Sequence, residues 1–239
     1  MKHNMMLKAI MIGCLAGLVV KSGHVKADDM VVDKVYHPYV LPLEREVEWR
    51  LLSRQNDTGN VLAQRLGLGW SLTETMTVEG YAIGERDPDD NFDMAGYEAE
   101  VRWQLVEQGR YWADWGLLFE YEKRHKESAY EATVGLLFEK EFGRNSLTLN
   151  AFIAREWGSM VSNGWEAEFR AQYRYRWISA FQPAIEVYTG EDFVGVGPAV
   201  IGLHRFQGQK QLKWEIGFVT ELSQVSKDHS FRLALEFEF

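Results

Sequence analysis

Carboxylates spaced two residues apart recur along this chain, as Glu98 with Glu100 and Glu166 with Glu168. Paired carboxylates suit general acid–base chemistry in a cleft. Here the same spacing returns at Glu44, Glu46 and Glu48 and at Glu139 and Glu141, with Arg102, Arg170 and Arg174 in step. A motif repeated on many segments belongs to a repeating structure rather than to one active site. His229 and Ser230 are adjacent, but neighbours on a strand point to opposite faces and form no nucleophile–base dyad. His37, His125, His204 and His229 are too scattered for a zinc site. The segment RDPDDNFDMA, 86–95, holds four aspartates without the order of a calcium loop and reads as a solvated turn. His125 stands among Lys123, Arg124 and Lys126, a cluster that either binds lipopolysaccharide phosphates or solvates a loop. The expectation is no catalytic residue, no metal and no cofactor, hence not an enzyme.

The elements that carry these charges alternate residue by residue. Tyr97, Ala99, Val101, Trp103 and Leu105 interleave with Glu98, Glu100, Arg102 and Gln104. Trp165 to Trp177 does the same against Glu166, Glu168, Arg170, Gln172, Arg174 and Arg176. This is the period of a strand with one apolar face. Twelve such segments fall at 43–54, 61–70, 74–85, 96–106, 111–122, 130–142, 146–157, 164–177, 182–190, 195–206, 211–222 and 230–239. Most exceed the usual five or six residues and match the roughly 9–11 that a tilted strand needs to cross a bilayer. Tight turns are expected to alternate with longer loops, as in outer-membrane barrels with an even strand count. An inside-out, lipocalin-like barrel would alternate identically; strand length, the turns and the chain's end favour the membrane form. The fold class is therefore all-β, a transmembrane antiparallel up-and-down β-barrel of twelve strands, spanning 43–239.

Composition fits this reading. The 239 residues have a mean hydropathy of -0.29 and a formal charge of -9, which disfavours nucleic acid. Nine tryptophans suit interfacial belts. Residues 1–27, with Lys2 and Lys8 before an apolar run and Val25-Lys26-Ala27 at its end, read as a cleaved signal peptide. Cleavage there removes the single cysteine, Cys14, and four lysines with no acid, so -9 becomes -13. Residues 28–42 precede the first strand. They are either a periplasmic leader or a lumen hatch, with Val31, Val32, Val35, Tyr36 and Tyr39 tucked inside.

The last residues, Phe231, Leu233, Leu235, Phe237 and Phe239 with polar or small residues between them, resemble the closing strand of Gram-negative outer-membrane proteins. That resemblance implies an assembly signal read by the barrel-assembly machinery. In general layout, including a leader with Tyr, His and Pro, the chain also resembles small outer-membrane barrels of the meta-pathway phenol-degradation transporter type. This second likeness implies passage of hydrophobic or aromatic solutes and assigns no residue a role.

With the apolar stripes on lipid, Glu48, Arg50, Glu98, Glu100, Arg102, Glu120, Glu139, Glu166, Glu168, Arg170, Arg174 and Glu215 line the lumen. Twelve strands about 4.8 Å apart close at a backbone radius of roughly 12 Å. An acidic wall of that width admits small cations or neutral solutes; ion-paired, the same residues brace a closed barrel. The sequence thus points to a bacterial outer-membrane channel or transporter for passive passage of small solutes. A non-conducting structural barrel is the alternative, and an outer-membrane enzyme comes third. Partners are outer-membrane lipids, lipopolysaccharide, the assembly machinery and a small solute.

Overall fold

A computed structural model describes residues 31–56, 59–86, 91–159, 163–191, 193–222 and 228–239. The signal-peptide expectation for 1–27 lies outside the described residues, as does much of the aspartate-rich turn. Twelve strands follow in order: β1 (Arg45–Asn56), β2 (Gly59–Ser71), β3 (Met76–Arg86), β4 (Phe92–Gln104), β5 (Asp114–Arg124), β6 (Ala129–Phe142), β7 (Asn145–Gly158), β8 (Gly164–Tyr175), β9 (Gln182–Thr189), β10 (Val194–Arg205), β11 (Gln211–Glu221) and β12 (His229–Glu238). Each pairs antiparallel with its sequence neighbours, and β1 closes on β12 from Glu46↔Glu238 to Gln55↔His229. All-round closure leaves no edge strand with unpaired backbone groups. Strand limits lie within four residues of those the alternation predicts.

Because register fixes facing, one parity of every strand points inward. The two faces differ in kind. Outward positions carry Leu66, Leu68, Val134, Ile153, Ile185 and Ile216, all exposed. Every strand carboxylate among the described residues lies on the inward parity, from Glu46 and Glu48 to Glu236 and Glu238. Aromatic rings gather at two levels of the outer surface. Trp115 packs on Phe138, Phe142 on Tyr173, and Phe237 on Phe239 near the end where the chain termini of the barrel meet. Tyr121, Tyr130 and Trp157 cluster near the other end. Two aromatic belts flanking an apolar band are the arrangement a bilayer imposes on a barrel.

We call the end with Arg45 and Phe239 the terminal end and the other the distal end. The expected contrast of tight turns and long loops is not present. Connections run from two to nine residues at the terminal end and from two to seven at the distal end. The strands themselves continue into segments read as loops, with β4 beginning at Phe92 and β6 at Ala129. Backbone pairing extended past the apolar alternation, because ladder bonds do not require an apolar face.

The expectation that apolar side chains face only outward also needs correction. Tyr81, Ile83, Leu118, Leu137, Phe152, Tyr188 and Ile201 are buried on the inward parity. Leu118, Leu137, Phe152 and Tyr188 among them are the seat of the N-terminal segment described next.

Candidate functional site

Residues 31–40 run inside the barrel rather than away from it. At Leu43 the backbone takes φ 65°, a left-handed conformation uncommon for a side chain of this size. That turn sends the chain from the wall into the lumen at the terminal end. Val40 N–H donates to Gln104 Oε1 at 2.9 Å, and the Tyr39 hydroxyl donates to Asp114 at 3.2 Å. Higher in the lumen, Asn150 holds the Tyr36 backbone from both sides, with its Oδ1 accepting from Tyr36 N–H and its Nδ2 donating to Tyr36 O, each at 2.8 Å. An asparagine here substitutes for a strand partner that the segment lacks.

The apolar side of the segment has matching surfaces. Tyr36 packs with Leu118, Leu137 and Phe152, and its ring meets Phe152 edge-on at 6.2 Å. Val32 and Val35 pack with Tyr188 and Val219. Two glycines make the first seat possible. A Cβ on Gly116 would stand 3.0 Å from Pro38, and one on Gly135 would stand 2.5 Å from Phe152. The strand pairs Gly116↔Leu137 and Leu118↔Gly135 set each inward leucine opposite a glycine, so the leucines interlock instead of colliding.

Charge organises the polar side. Asp33 faces Arg50 at 3.3 Å, Arg65 at 3.4 Å and Arg170 at 3.7 Å, three guanidiniums from three strands. Burial alone would raise its carboxyl, but Arg65, Arg50 and Arg170 together hold it well below the usual range. Lys34 bridges Glu48 at 3.0 Å and Glu236 at 2.8 Å. Its burial opposes the charge, and Glu236 and Glu48 outweigh that and push its titration above the ordinary lysine value. Burial raises the Tyr36 hydroxyl as well, keeping it protonated as a donor to Glu100 at 2.8 Å and Glu120 at 3.3 Å.

The register places all twelve predicted lumen residues on the inward face, but they fall into three groups. Glu48, Arg50, Glu100, Glu120, Glu139 and Arg170 touch the inserted segment directly. Glu139 meets His37 at 2.5 Å and Arg174 at 3.4 Å, while Arg102 reaches Glu79 at 2.8 Å. Glu215 pairs with Arg232 at 2.8 Å. Glu98, Glu166 and Glu168 instead help line an open cavity of about 500 Å³ at the distal end, whose wall also includes Glu122, Arg124, Glu131 and Glu156. Asp33, Arg65 and Arg170 reach that cavity too. The inserted segment therefore fills the lumen from the terminal end and, along β9–β11, reaches the distal rim, where Val31 packs at Gly190 and Phe193. An acid-rich vestibule remains open beside it on the β2–β8 side.

His37 approaches Glu139 and Thr148 through Nδ1, and its buried Nε2 has no hydrogen-bond partner among the described residues. His229 stacks on Phe218 outside while Ser230 is buried inside. Carboxylate oxygens of Glu98, Glu100 and Glu120 lie within 4.8 Å of one another. Their counter-charges come from the protein: Arg65 stands 2.9 Å from Glu98, and Arg50 stands 3.6 Å from Glu100. Asp93, from the aspartate-rich turn, pairs with Lys126. Phe231, Leu233, Leu235 and Phe237 share the outward face of β12, and Phe239 follows it, stacked on Phe237.

Sequence reasoning missed the inward apolar seat. Its one signal was the doubled leucine in Gly116-Leu117-Leu118-Phe119-Glu120, repeated as Gly135-Leu136-Leu137-Phe138-Glu139. A leucine that breaks strict alternation has its neighbour on lipid and itself in the lumen.

No family model matches the sequence, and no curated protein matches it. Among solved structures, an outer-membrane channel from Pseudomonas putida F1 aligns with a TM-score of 0.59 at 12% identity, over 87% of this chain and 98% of that one. The KdgM porin in complex with disordered oligogalacturonate aligns with a TM-score of 0.55 at 11% identity, over 81% and 99%. At these identities the likeness is one of fold. Its members are outer-membrane channels and porins rather than enzymes.

Proposed function

We propose that this protein is a bacterial outer-membrane channel for small solutes, with residues 28–42 acting as a lumen hatch on the barrel formed by 43–239. One observation carries the reading. Residues 31–40 lie in the lumen held by side-chain contacts and by no strand ladder, beside a vestibule of about 500 Å³ that opens distally. A segment held this way can leave without unzipping the wall. Residues 1–27 serve as the export signal. The terminal end faces the periplasm, from which an exported chain inserts, and the distal vestibule faces outward. Lipids cover the apolar band, and the closing strand with Phe231, Leu233, Leu235, Phe237 and Phe239 is the assembly machinery's signal.

The vestibule wall decides the solute class. Carboxylates outnumber cations there, so small cations and neutral molecules enter with less electrostatic cost than anions. The KdgM porin is seen with an oligogalacturonate, an acidic sugar chain; this wall would repel such a ligand. A neutral aromatic solute, as the phenol-degradation-type resemblance implies, is compatible with it. The rival reading is a structural barrel, and the ion pairs of Lys34 and Arg232 in the interior favour it. Reversal potentials in a potassium chloride gradient, recorded on the refolded full chain, separate the two. Cation-preferring current supports the channel; no current at any salt concentration, or anion preference, contradicts it.

A further inference from the structure

The outer surface poses a separate question, because its charges are all of one sign. Among described strand residues, outward positions hold arginine and lysine but no aspartate or glutamate. Cations on a lipid-facing wall gain nothing from the apolar band and are tolerated only near its rims. Lys123, exposed near the end of β5, has no acidic partner among the described residues. Arg155 lies on β7, two strands along, with its guanidinium 5.2 Å over the ring of exposed Trp165. Strand spacing separates the two strands by about 10 Å. Tyr130, opposite Lys123, stacks at 6.0 Å on Trp157, which stands two residues distal to Arg155 on β7, an aromatic floor beside both cations.

We propose that this rim of β5–β8 binds the phosphorylated glycolipid headgroup of the outer leaflet, with Lys123 and Arg155 taking its phosphates and the Tyr130–Trp157 stack supporting its sugars. Charge complementarity selects an anion, and the ring surface selects a sugar over a bare phosphate. The proposal rests on the distal end facing outward, so orientation is measured separately.

The test uses the full chain in nanodiscs, titrated with diphosphorylated lipid A, dephosphorylated lipid A, phosphatidylglycerol and inorganic phosphate. Wild-type protein is expected to bind diphosphorylated lipid A at least tenfold more tightly than the other three. The double variant Lys123→Gln/Arg155→Gln should lose that tenfold advantage, while Lys140→Gln at the terminal end keeps it. Equal affinity in wild type and double variant overturns the proposal, and so does equally tight binding of phosphatidylglycerol or inorganic phosphate. Labelling of a Lys126→Cys variant in intact cells by an impermeant maleimide reports orientation; failure to label there also overturns it. Single-channel conductance of the double variant is expected to equal that of wild type. Loss of current in every protein, with lipid binding intact, counts against the channel and not against the lipid site.

Discussion

The two halves of the lumen contain the same residue types and differ in filling and in charge balance. Towards the terminal end, Lys34 is matched by Glu48 and Glu236, and Asp33 by three arginines. In the distal vestibule the wall is rich in carboxylates around open space. The difference is the inserted segment, which supplies one buried cation and one buried anion where the wall has their complements. A charge taken out of water must be paired and hydrogen-bonded, whereas a charge left in water need not be. Packing of residues 31–40 thus closes the ion-paired wall around Lys34 and Asp33, whereas the distal wall, paired in part through Arg65–Glu98, Arg124–Glu156 and Arg170–Glu168, keeps an excess of carboxylates around open space.

Reversing a charge in the filled half should have the largest effect. Lys34→Glu sets a third carboxylate against Glu48 and Glu236, and an uncompensated buried charge costs about 3–5 kcal/mol. The segment should then leave the lumen, and a cysteine placed at Val35 should react with a water-soluble maleimide at least tenfold faster than in the otherwise native chain. Unchanged labelling would mean that these ion pairs do not hold the segment. Removing part of the apolar seat comes next. Leu118→Ala, at a fully buried position, should lower the stability of the refolded barrel by about 2–4 kcal/mol, read from its urea midpoint. A loss as small at Leu118 as at the lipid-facing Leu117 would remove the distinction between the faces.

In the open half the expected effect is on selectivity instead. Glu122→Gln with Glu131→Gln should reduce the potassium-to-chloride permeability ratio about two- to threefold by weakening the wall's field, without changing maleimide labelling at position 35. The smallest expected response is to pH. Asp33 titrates below its ordinary value in the folded chain, so its stabilisation is present above about pH 4 and is lost as pH falls through the lower folded value. Lys34 titrates above its ordinary value, so its contribution is complete below about pH 10 and is lost as pH rises through the higher folded value. The labelling rate at position 35, divided by that of a free thiol at the same pH, should stay flat from pH 5 to pH 9, and a tenfold rise of that ratio inside the window would contradict the charge assignment.

The barrel was legible because its signal is local: alternation along 96–106 or 164–177 needs no knowledge of neighbours. Facing followed from the same alternation, as at Glu98, Glu100 and Arg102. Loop lengths were not legible, since ladder bonds continue through Phe92 and Ala129 where the apolar pattern has already stopped. The seat of the N-terminal segment was hidden for a different reason. Leu118, Leu137 and Phe152 sit on the consecutive strands β5–β7, and Tyr188 and Val219 on β9 and β11. Each group becomes a seat only when Tyr36 or Val32 and Val35, far away in the chain, lie against it. Asn150, which holds Tyr36 by its backbone, is an unremarkable polar position on a strand until the segment lies beside it.

Whether passage is controlled by the inserted segment is tested most directly by recording single-channel conductance of the full chain and of a chain lacking 29–40, refolded and reconstituted side by side. A hatch predicts larger, cation-preferring openings once it is deleted, with the barrel still resistant to unfolding in cold detergent. Equal conductance in the two proteins would contradict it.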